Sequence, residues 1–367
     1  MKRLRMGAIS FDHGHQYGWC SAHLQLPMVE LVAVSEWMPE QVDRVKSTLV
    51  SSDGAMRALD DPEQGSVAYY EDYQELLARD DIDAVSISSA NAFHLEHTEA
   101  AAQAGKHVIL EKPLATNLED ATRIVTVCDE AGVHLSTAYP TRFSPSATEA
   151  KRRVDAGEIG EIVSMHATNH LRRATTGWFV DPELSGGGTI RDHIVHGTVR
   201  MRWFSGKEVI SIYAEGDTLA RPEIAVDDVA MLIETFEGGI VGSCDPSWNR
   251  PMTASKWGDV MIRILGTEGA IDFDITGCYV SRTLAGGSQQ SEAWEAAGVQ
   301  GYVSHMSYQE DANVWYVKDF AESILDGRKP SVDGIDGWYG VACIEAAYQS
   351  VREHCEVEVP TFPDAAE

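Results

Sequence analysis

Strand-like and helix-like stretches alternate six times within the first 138 residues of the chain. Apolar runs at 4–10, 29–34, 68–70, 84–88, 108–110 and 133–138 read as strands, and helical stretches fall between them at about 15–26, 39–50, 72–78, 94–104 and 117–131. This alternation is the signature of a doubly wound parallel sheet. In such a sheet ligands bind at the carboxyl ends of the strands. Beyond residue 138 the pattern changes. Strands are expected at 162–170, 209–215, 229–234, 239–245, 260–265 and 270–274, joined by short turns such as Glu237-Gly238-Gly239. That spacing predicts a mostly antiparallel sheet. Helices are expected at about 189–204, 309–326 and 337–354, and residues 283–301, rich in Gly, Ser, Gln and Ala, read as an insertion loop. At 367 residues the chain exceeds what one core usually supports. The expected organisation is an α/β parallel-sheet domain over 1–138. An α+β domain over 139–367, built on a large, mostly antiparallel open sheet, follows it.

Asp and Glu number 57 against 29 Lys and Arg, a net charge of −28. A field of that sign repels nucleic acid and anionic membranes, so neither is an expected partner. The acids are scattered rather than gathered in a tail, which speaks against a disordered acidic arm. Nine of the basic residues are Lys and twenty are Arg. Self-repulsion on this scale is tolerable where salt screens charges within about 3 Å, as at 1 M, and points to a halophilic source. No run approaches the ~18 apolar residues of a membrane span. Met1-Lys2-Arg3-Leu4-Arg5 leads straight into a strand without an apolar leader. A cytoplasmic location is expected. The six cysteines are widely spaced, with no C-x-x-C pair, and are expected to be free thiols.

The stretch Gly105-Lys106-His107-Val108-Ile109-Leu110-Glu111-Lys112-Pro113 sets a carboxylate, an amine and a proline at the carboxyl end of a strand. A lysine there can reach a ligand, although E-K-P taken alone reads better as a surface Glu–Lys pair at a strand end. The first strand runs into Ser10-Phe11-Asp12-His13-Gly14-His15, where a glycine-rich dinucleotide loop would stand. Small residues are needed in such a loop because the backbone must approach a pyrophosphate at the helix N-terminus. Ser10 and Asp12 occupy the places of the first two glycines, and Gly14 is one off the third. A carboxylate beside a pyrophosphate needs a cationic screen, which His13 and His15 offer. Glu36 ends the second strand, where an acid accepts bonds from both ribose hydroxyls and repels a 2′-phosphate, favouring NAD over NADP. Ser88-Ser89-Ala90-Asn91, small and polar, suits a loop that passes close to a ligand. His94 and His97 after it are expected to be packed or exposed residues rather than ligands.

The other chemical signal is Gly186-Gly187-Gly188-Thr189-Ile190-Arg191-Asp192-His193-Ile194-Val195-His196. Three glycines let the backbone come close to something before a helix begins. Asp192 and His196 are four apart and share one helix face. That arrangement suits a carboxylate orienting an imidazole base. Adjacent helical residues diverge by about 100°, so Asp192, His193 and His196 are not expected to converge on a metal, and no metal ligands are assigned.

Taken together these motifs are A-G-K-H-V-x-x-E-K-P-L-A at 104–115, E-I-G-E-I at 158–162, W-x-x-D-P-x-x-x-G-G-G-x-x-x-D-x-x-x-H at 178–196, and I-L-D-G-R-K-P ending at Pro330. In them the chain resembles the glucose–fructose oxidoreductase / inositol dehydrogenase (Gfo/Idh/MocA) family over nearly its whole length. The resemblance implies a Rossmann domain followed by a domain whose open antiparallel sheet mediates homodimers or homotetramers. It implies reversible hydride transfer between NAD, or alternatively NADP, and a carbinol carbon of a sugar, polyol or inositol. Lys112, beside Glu111, would stand near substrate and nicotinamide. His196, oriented by Asp192, would be the general base, Asn91 would lie near the cofactor, and Glu36 would hold the ribose. Ser10, Phe11, Asp12, His13 and Ser88 complete the expected cofactor-binding set. Substrate contacts are expected from Arg142, His170 and Trp178, with His166 and Asn169 as further candidates, alongside Asp192 and His196. Two positions depart from the family pattern: the glycine fingerprint, and Phe179 where an Arg often follows the tryptophan. Two other readings stand beside the dehydrogenase. One is a non-redox lyase or glycosidase that retains NAD. The other is a ligand- or nucleotide-sensing protein without turnover.

Overall fold

The structure is a computed structural model that describes residues 3–47, 49–50, 56–57, 67–171, 177–250, 253, 258–275, 279–284, 302–303 and 308–363. In chain order it begins with β1 (Leu4–Ile9), α1 (His15–Gln25), β2 (Val29–Ser35), α2 (Pro39–Ser47), β3 (Leu49–Val50), β4 (Met56–Arg57) and β5 (Ala68–Tyr70). Next come α3 (Tyr73–Leu77), β6 (Ala84–Ile87), α4 (His94–Gln103), β7 (His107–Leu110), α5 (Leu118–Glu130) and β8 (Leu135–Thr137). Then follow α6 (Pro145–Asp155), β9 (Ile162–Leu171), α7 (Pro182–Ser185), α8 (Thr189–Ser205), β10 (Val209–Asp217), β11 (Val229–Phe236) and β12 (Val241–Asp245). The chain closes with β13 (Gly258–Gly266), β14 (Gly269–Asp274), β15 (Tyr279–Leu284), β16 (Tyr302–Val303), α9 (Tyr308–Asp326), α10 (Gly334–Glu353) and β17 (Val357–Glu358). Two compact units result: Met1–Pro140 with Gln309–Trp338, and Thr141–Tyr308 with Tyr339–Glu367.

Among the described residues, the sheet of the first unit has the order β5-β2-β1-β6-β7-β8, all pairs parallel. This is the doubly wound parallel sheet expected from the alternation. Its inner strands are buried on both faces, as with Ala84–Ile87 and Val108–Leu110, which is why they read as unbroken apolar runs. Strand order reverses between β1 and β6, so the ligand-binding crevice of this topology opens between their carboxyl ends. The helices begin where capping residues allow. Asp72 accepts the Gln74 amide and Asn117 that of Asp120. Ala8, Phe11, Tyr17, Cys20, Leu31, Val34 and Val45 form one core cluster, each contributing roughly 1.5–3 kcal/mol if large and apolar. That cluster anchors the turn after β1. The helix expected over 39–50 ends at Ser47, and Leu49–Val50 pairs instead with Met56–Arg57.

Residues 309–338 return to this unit, a feature absent from the single division expected at 138/139. The Ser136 hydroxyl meets that of Tyr316 at 2.8 Å and donates to the Val332 carbonyl at 2.7 Å. The Trp338 indole donates to Thr122 at 2.8 Å.

The sheet of the second unit runs β16-β15-β14-β13-β9-β12-β11-β10-β17 among the described residues. It is antiparallel except where β12 lies parallel to β9. Period-two burial sorts its faces. Met165, Ala167 and Asn169 of β9, Leu232 and Glu234 of β11, and Cys244 of β12 are buried toward α8. The opposite face carries Met231, Ile233, Val241, Met261 and Leu265, all exposed. Helix α6, which the sequence reading passed over, starts at Pro145 with Ser144 accepting the Ala147 amide. Of the expected insertion loop, residues 285–301 lie outside the described residues. Among the described residues no helix is long and apolar enough to cross a membrane.

Candidate active site

In the first unit the expected cofactor residues gather at the carboxyl edge of the sheet. Ser10 takes φ +61°, a left-handed conformation that the missing first glycine would have adopted freely, and its hydroxyl accepts the Asp12 amide at 3.2 Å. The Phe11 ring is buried against Tyr17 at 4.9 Å and belongs to the core. Asp12 accepts the Ala90 amide at 3.0 Å, and the His13 amide donates to the Ser88 carbonyl at 2.9 Å. The loops after β1 and β6, on either side of the crevice, are therefore tied together. Gly14 is exposed, with no atom within 4 Å of where a Cβ would stand, and the first turn of α1 holds no acid. That open helix start suits an anion.

Glu36 does something the sequence did not reveal. Its carboxylate is fully buried and accepts three backbone amides: Phe11 at 2.7 Å, and Trp37 and Met38 at 2.8 Å. Burial raises its pKa, outweighing these bonds. The acid expected to hold a ribose thus braces the β1 turn. Ser88 is equally occupied, its hydroxyl donating to Gln16 at 2.7 Å. Asn91 is buried at the start of a single tight turn, Asn91–Phe93, that leads into α4.

Glu111 and Lys112 directly follow β7, both buried, and a cis bond joins Lys112 to Pro113. Burial alone would raise the Glu111 pKa, but the neighbouring His15, His13 and Lys112 bring it down to about 2. His15 Nδ1 lies 3.2 Å from one Glu111 oxygen, and the Trp19 indole donates to the other at 3.2 Å. His13, His15 and Glu111 are thereby brought together, although no metal ligands were assigned from sequence. His94 packs as expected, yet it also positions. Its Nδ1 faces the Pro113 carbonyl at 3.0 Å and its Nε2 the Ser89 carbonyl at 3.1 Å, which links the β6 loop to the E-K-P segment. Burial lowers its pKa. His97 contacts Ser89 at 3.0 Å, and burial takes it to about 3. Beyond Glu36, Trp37, Tyr73, Phe93 and His97 line a cavity of 300 Å³ with Glu71, Asp72 and Glu96.

In the second unit Asp192 and His196 sit half-buried on the first turns of α8. The Asp192 carboxylate lies 3.0 Å from His193 Nε2, while His193 Nδ1 faces the Asn169 carbonyl at 3.0 Å. The Trp248 indole also reaches His193 Nε2, at 3.3 Å. The glycine run has a purpose inside the protein. The Gly188 amide donates to Asp227 Oδ1 at 3.0 Å and the Ile190 amide to Oδ2 at 2.8 Å. A Cβ on Gly187 would stand 2.1 Å from the Tyr348 hydroxyl, and one on Gly188 would stand 1.8 Å from the Asp227 carbonyl. The close approach inferred from the glycines is thus to Asp227 and Tyr348, which cap α8 and aim Asp192 and His196.

The remaining substrate candidates divide by sheet face. Asn169 faces α8, whereas His166 and His170, by the strand's alternation, face away from it. His170 is held between Asp245 at 2.9 Å and Asp259 at 3.1 Å. Burial raises the Asp245 pKa, but bonds from His170 and Ser247 lower it overall. Arg142 is buried against α8, donating to the Val199 carbonyl at 3.3 Å. Trp178 is half-buried and stacks on Phe179 at 3.9 Å. Asp227 and Tyr348 were missed because they lie 39 and 160 residues from Gly188.

Comparison with known proteins agrees with this architecture. Residues 31–139 match the oxidoreductase family with an NAD-binding Rossmann fold, and residues 147–272 match the GFO/IDH/MocA C-terminal domain. The chain is 29% identical to a myo-inositol 2-dehydrogenase of Thermotoga maritima over 297 residues, 79% of this chain and 84% of that protein. It is 26% identical to a D-xylose 1-dehydrogenase [NADP(+)] of Haloarcula marismortui over 356 residues, 93% of this chain and 91% of that one. A levoglucosan dehydrogenase solved with NADH and L-sorbose superposes with a TM-score of 0.83 at 23% identity, covering 98% of this chain and all of that one (100%). With both of its domains matched in order, the chain belongs to the Gfo/Idh/MocA family of NAD(P)-dependent oxidoreductases.

Proposed function

We propose that the protein is an NAD-dependent dehydrogenase that moves a hydride between nicotinamide and a hydroxyl-bearing carbon of a sugar, polyol or inositol-like compound. What carries the reading is the chemical set on two elements: Lys112 at the carboxyl end of β7, and half-buried Asp192 and His196 on α8. The relatives named above, inositol and sugar dehydrogenases by name, support the substrate class.

Bound nicotinamide supplies the hydride acceptor or donor. As hydride leaves a carbinol, the hydroxyl proton must leave too, and His196 accepts it. Asp192, expected to orient that base, has its carboxylate 3.0 Å from His193 Nε2, so it bears on the neighbouring imidazole of α8. The Lys112 ammonium stabilises negative charge developing on the substrate oxygen. Trp37, Tyr73, Phe93 and His97 offer aromatic faces for an adenine. The described lining of that cavity includes three acids and no Lys or Arg, which disfavours a 2′-phosphate and supports NAD over NADP.

Titration with NADH and NADPH in molar KCl, followed by tryptophan fluorescence, tests the cofactor assignment. NADH should bind at least about tenfold more tightly, a difference of ~1.4 kcal/mol. Failure of both to bind, or tighter NADPH binding, would overturn it. The net charge of −28 also supports adaptation to high salt. The melting temperature should then climb as KCl is added, and a salt-independent melt would count against that.

A further inference from the structure

We propose that His13, His15 and Glu111 form a divalent metal site at the carboxyl edge of the first unit's sheet, one that takes Zn²⁺ and leaves part of its coordination shell open. One nitrogen from each histidine and one carboxylate oxygen lie within 4.8 Å of one another. His15 Nδ1 and Glu111 Oε1 are 3.2 Å apart. That is the separation of two ligands on one ion at bond lengths of roughly 2.0–2.2 Å. The His13 and His15 rings are 4.0 Å apart between centroids, so a small closing movement of His13 completes the set.

The site is built rather than incidental. Glu111 is 1% exposed and His13 7%, and a carboxylate that deep in the fold is costly unless it has a cationic partner. The second Glu111 oxygen is held by the Trp19 indole at 3.2 Å, and the loop bearing His13 is held by its amide bond to the Ser88 carbonyl at 2.9 Å. Such supporting bonds fix ligand direction in metal sites. His13 Nδ1 now accepts the His15 amide at 3.1 Å. Ligation takes either that nitrogen in place of the amide, or Nε2 once the ring proton has moved to Nδ1.

Two imidazoles and one carboxylate are a borderline donor set that suits Zn²⁺, whereas Mg²⁺ and Ca²⁺ prefer oxygen alone. Three protein ligands are one short of a tetrahedron, leaving a position for water or a ligand oxygen. An ion there would place positive charge in the turn where Asp12 stands instead of a glycine. This inference rests on the first unit alone and does not depend on the hydride-transfer reading.

The test is calorimetric titration of chelator-treated, full-length protein with Zn²⁺, repeated with Mg²⁺ and with Co²⁺ followed by its visible spectrum. One Zn²⁺ should bind per chain, with no displacement by Mg²⁺. His15→Ala and His13→Ala should each weaken binding by more than the roughly 10–100-fold that losing a supporting partner costs. His15 is 42% exposed, so its variant should fold, which an unchanged melting curve would verify. A double variant at His354 and Cys355, both exposed, should bind as the parent does. Absence of stoichiometric uptake, uptake lost only in that surface variant, or unchanged binding in His15→Ala would each overturn the site. NADH binding is read separately, so failure here and failure of the dehydrogenase reading remain distinguishable.

Discussion

The Gly188 amide donates to Asp227 Oδ1 at 3.0 Å, and a Cβ on that glycine would lie 1.8 Å from the Asp227 carbonyl oxygen. The carboxylate and backbone of one residue thus fix the start of the helix that carries Asp192 and His196. Asp227→Ala removes the acceptor for two helix amides and should cost about 1–2 kcal/mol, as losing a good cap does. Gly188→Ala must push backbone from backbone, and should exceed the ~0.5–3 kcal/mol of ordinary substitutions. Urea unfolding of both variants measures this. A Gly188→Ala protein as stable as the parent would show that the approach is not needed.

Glu234 offers a pH signature. It is fully buried on β11 under α8, and burial raises its pKa from 4.5 to about 7, despite a bond from the Thr198 hydroxyl. A folded-state pKa above the unfolded value means that its stabilising share is complete below pH 4.5 and is lost as pH rises through about 7. Glu234→Gln retains an acceptor for Thr198 and removes the titration. The variant should gain on the parent near pH 8 by up to ~3 kcal/mol, with the gap closing near pH 5. Melting curves at both pH values decide it. An equal effect at the two would mean that Glu234 does not titrate in this range.

Lys112→Met and His196→Ala should each lower kcat by at least ~10² with the fold intact. Methionine keeps the packing of the Lys112 stem, which matters because Lys112 is 3% exposed. Circular dichroism controls for folding. Turnover at the parent rate in either variant would remove that residue from the chemistry.

How much of this was written in the sequence depends on range. The parallel sheet was legible because buried strands such as Val108–Leu110 and capped helices such as Leu118–Glu130, with Asn117 as its cap, are local patterns. Helix α6 was not, because Pro145–Asp155 is mostly polar and its buried face is made of small residues such as Ala147 and Ala150, although Ser144 and Pro145 form a sound helix start. The parallel pairing of β12 with β9 joins residues 77 apart at Ser243 and His166, which no local pattern encodes. The site divided in the same way. The lysine and the D-x-x-x-H pair were singled out by position, but the pairing of the Asp192 carboxylate with His193 was not foreseen. The burial of Glu36 on the Phe11 amide, the Asp227 cap and the meeting of Glu111 with His15, 96 residues away, needed coordinates.

The open face of the second sheet supplies a prediction about assembly. Met231, Ile233, Val241, Met261 and Leu265 are exposed together there, around a 610 Å³ groove lined in part by His166, Arg263 and Asp272. A contiguous apolar face of this kind marks an interaction surface, and a second copy of the chain is the occupant that the family resemblance implies. Sedimentation in molar KCl should show a dimer or tetramer, and Ile233→Glu should shift it toward monomer. A parent protein that sediments as a monomer would contradict this.

Turnover distinguishes a dehydrogenase from a protein of this fold without net redox chemistry. The protein, held in molar KCl with NAD⁺, is offered a panel of aldoses, polyols and inositols, and reduced-nicotinamide absorbance is followed, with NADP⁺ in parallel. At least one of these compounds should reduce NAD⁺, faster than NADP⁺, and the Lys112→Met protein should not match that rate. NADH binding without reduction of either nucleotide by any member of the panel would contradict the dehydrogenase reading, and would favour a role for this fold without net redox turnover.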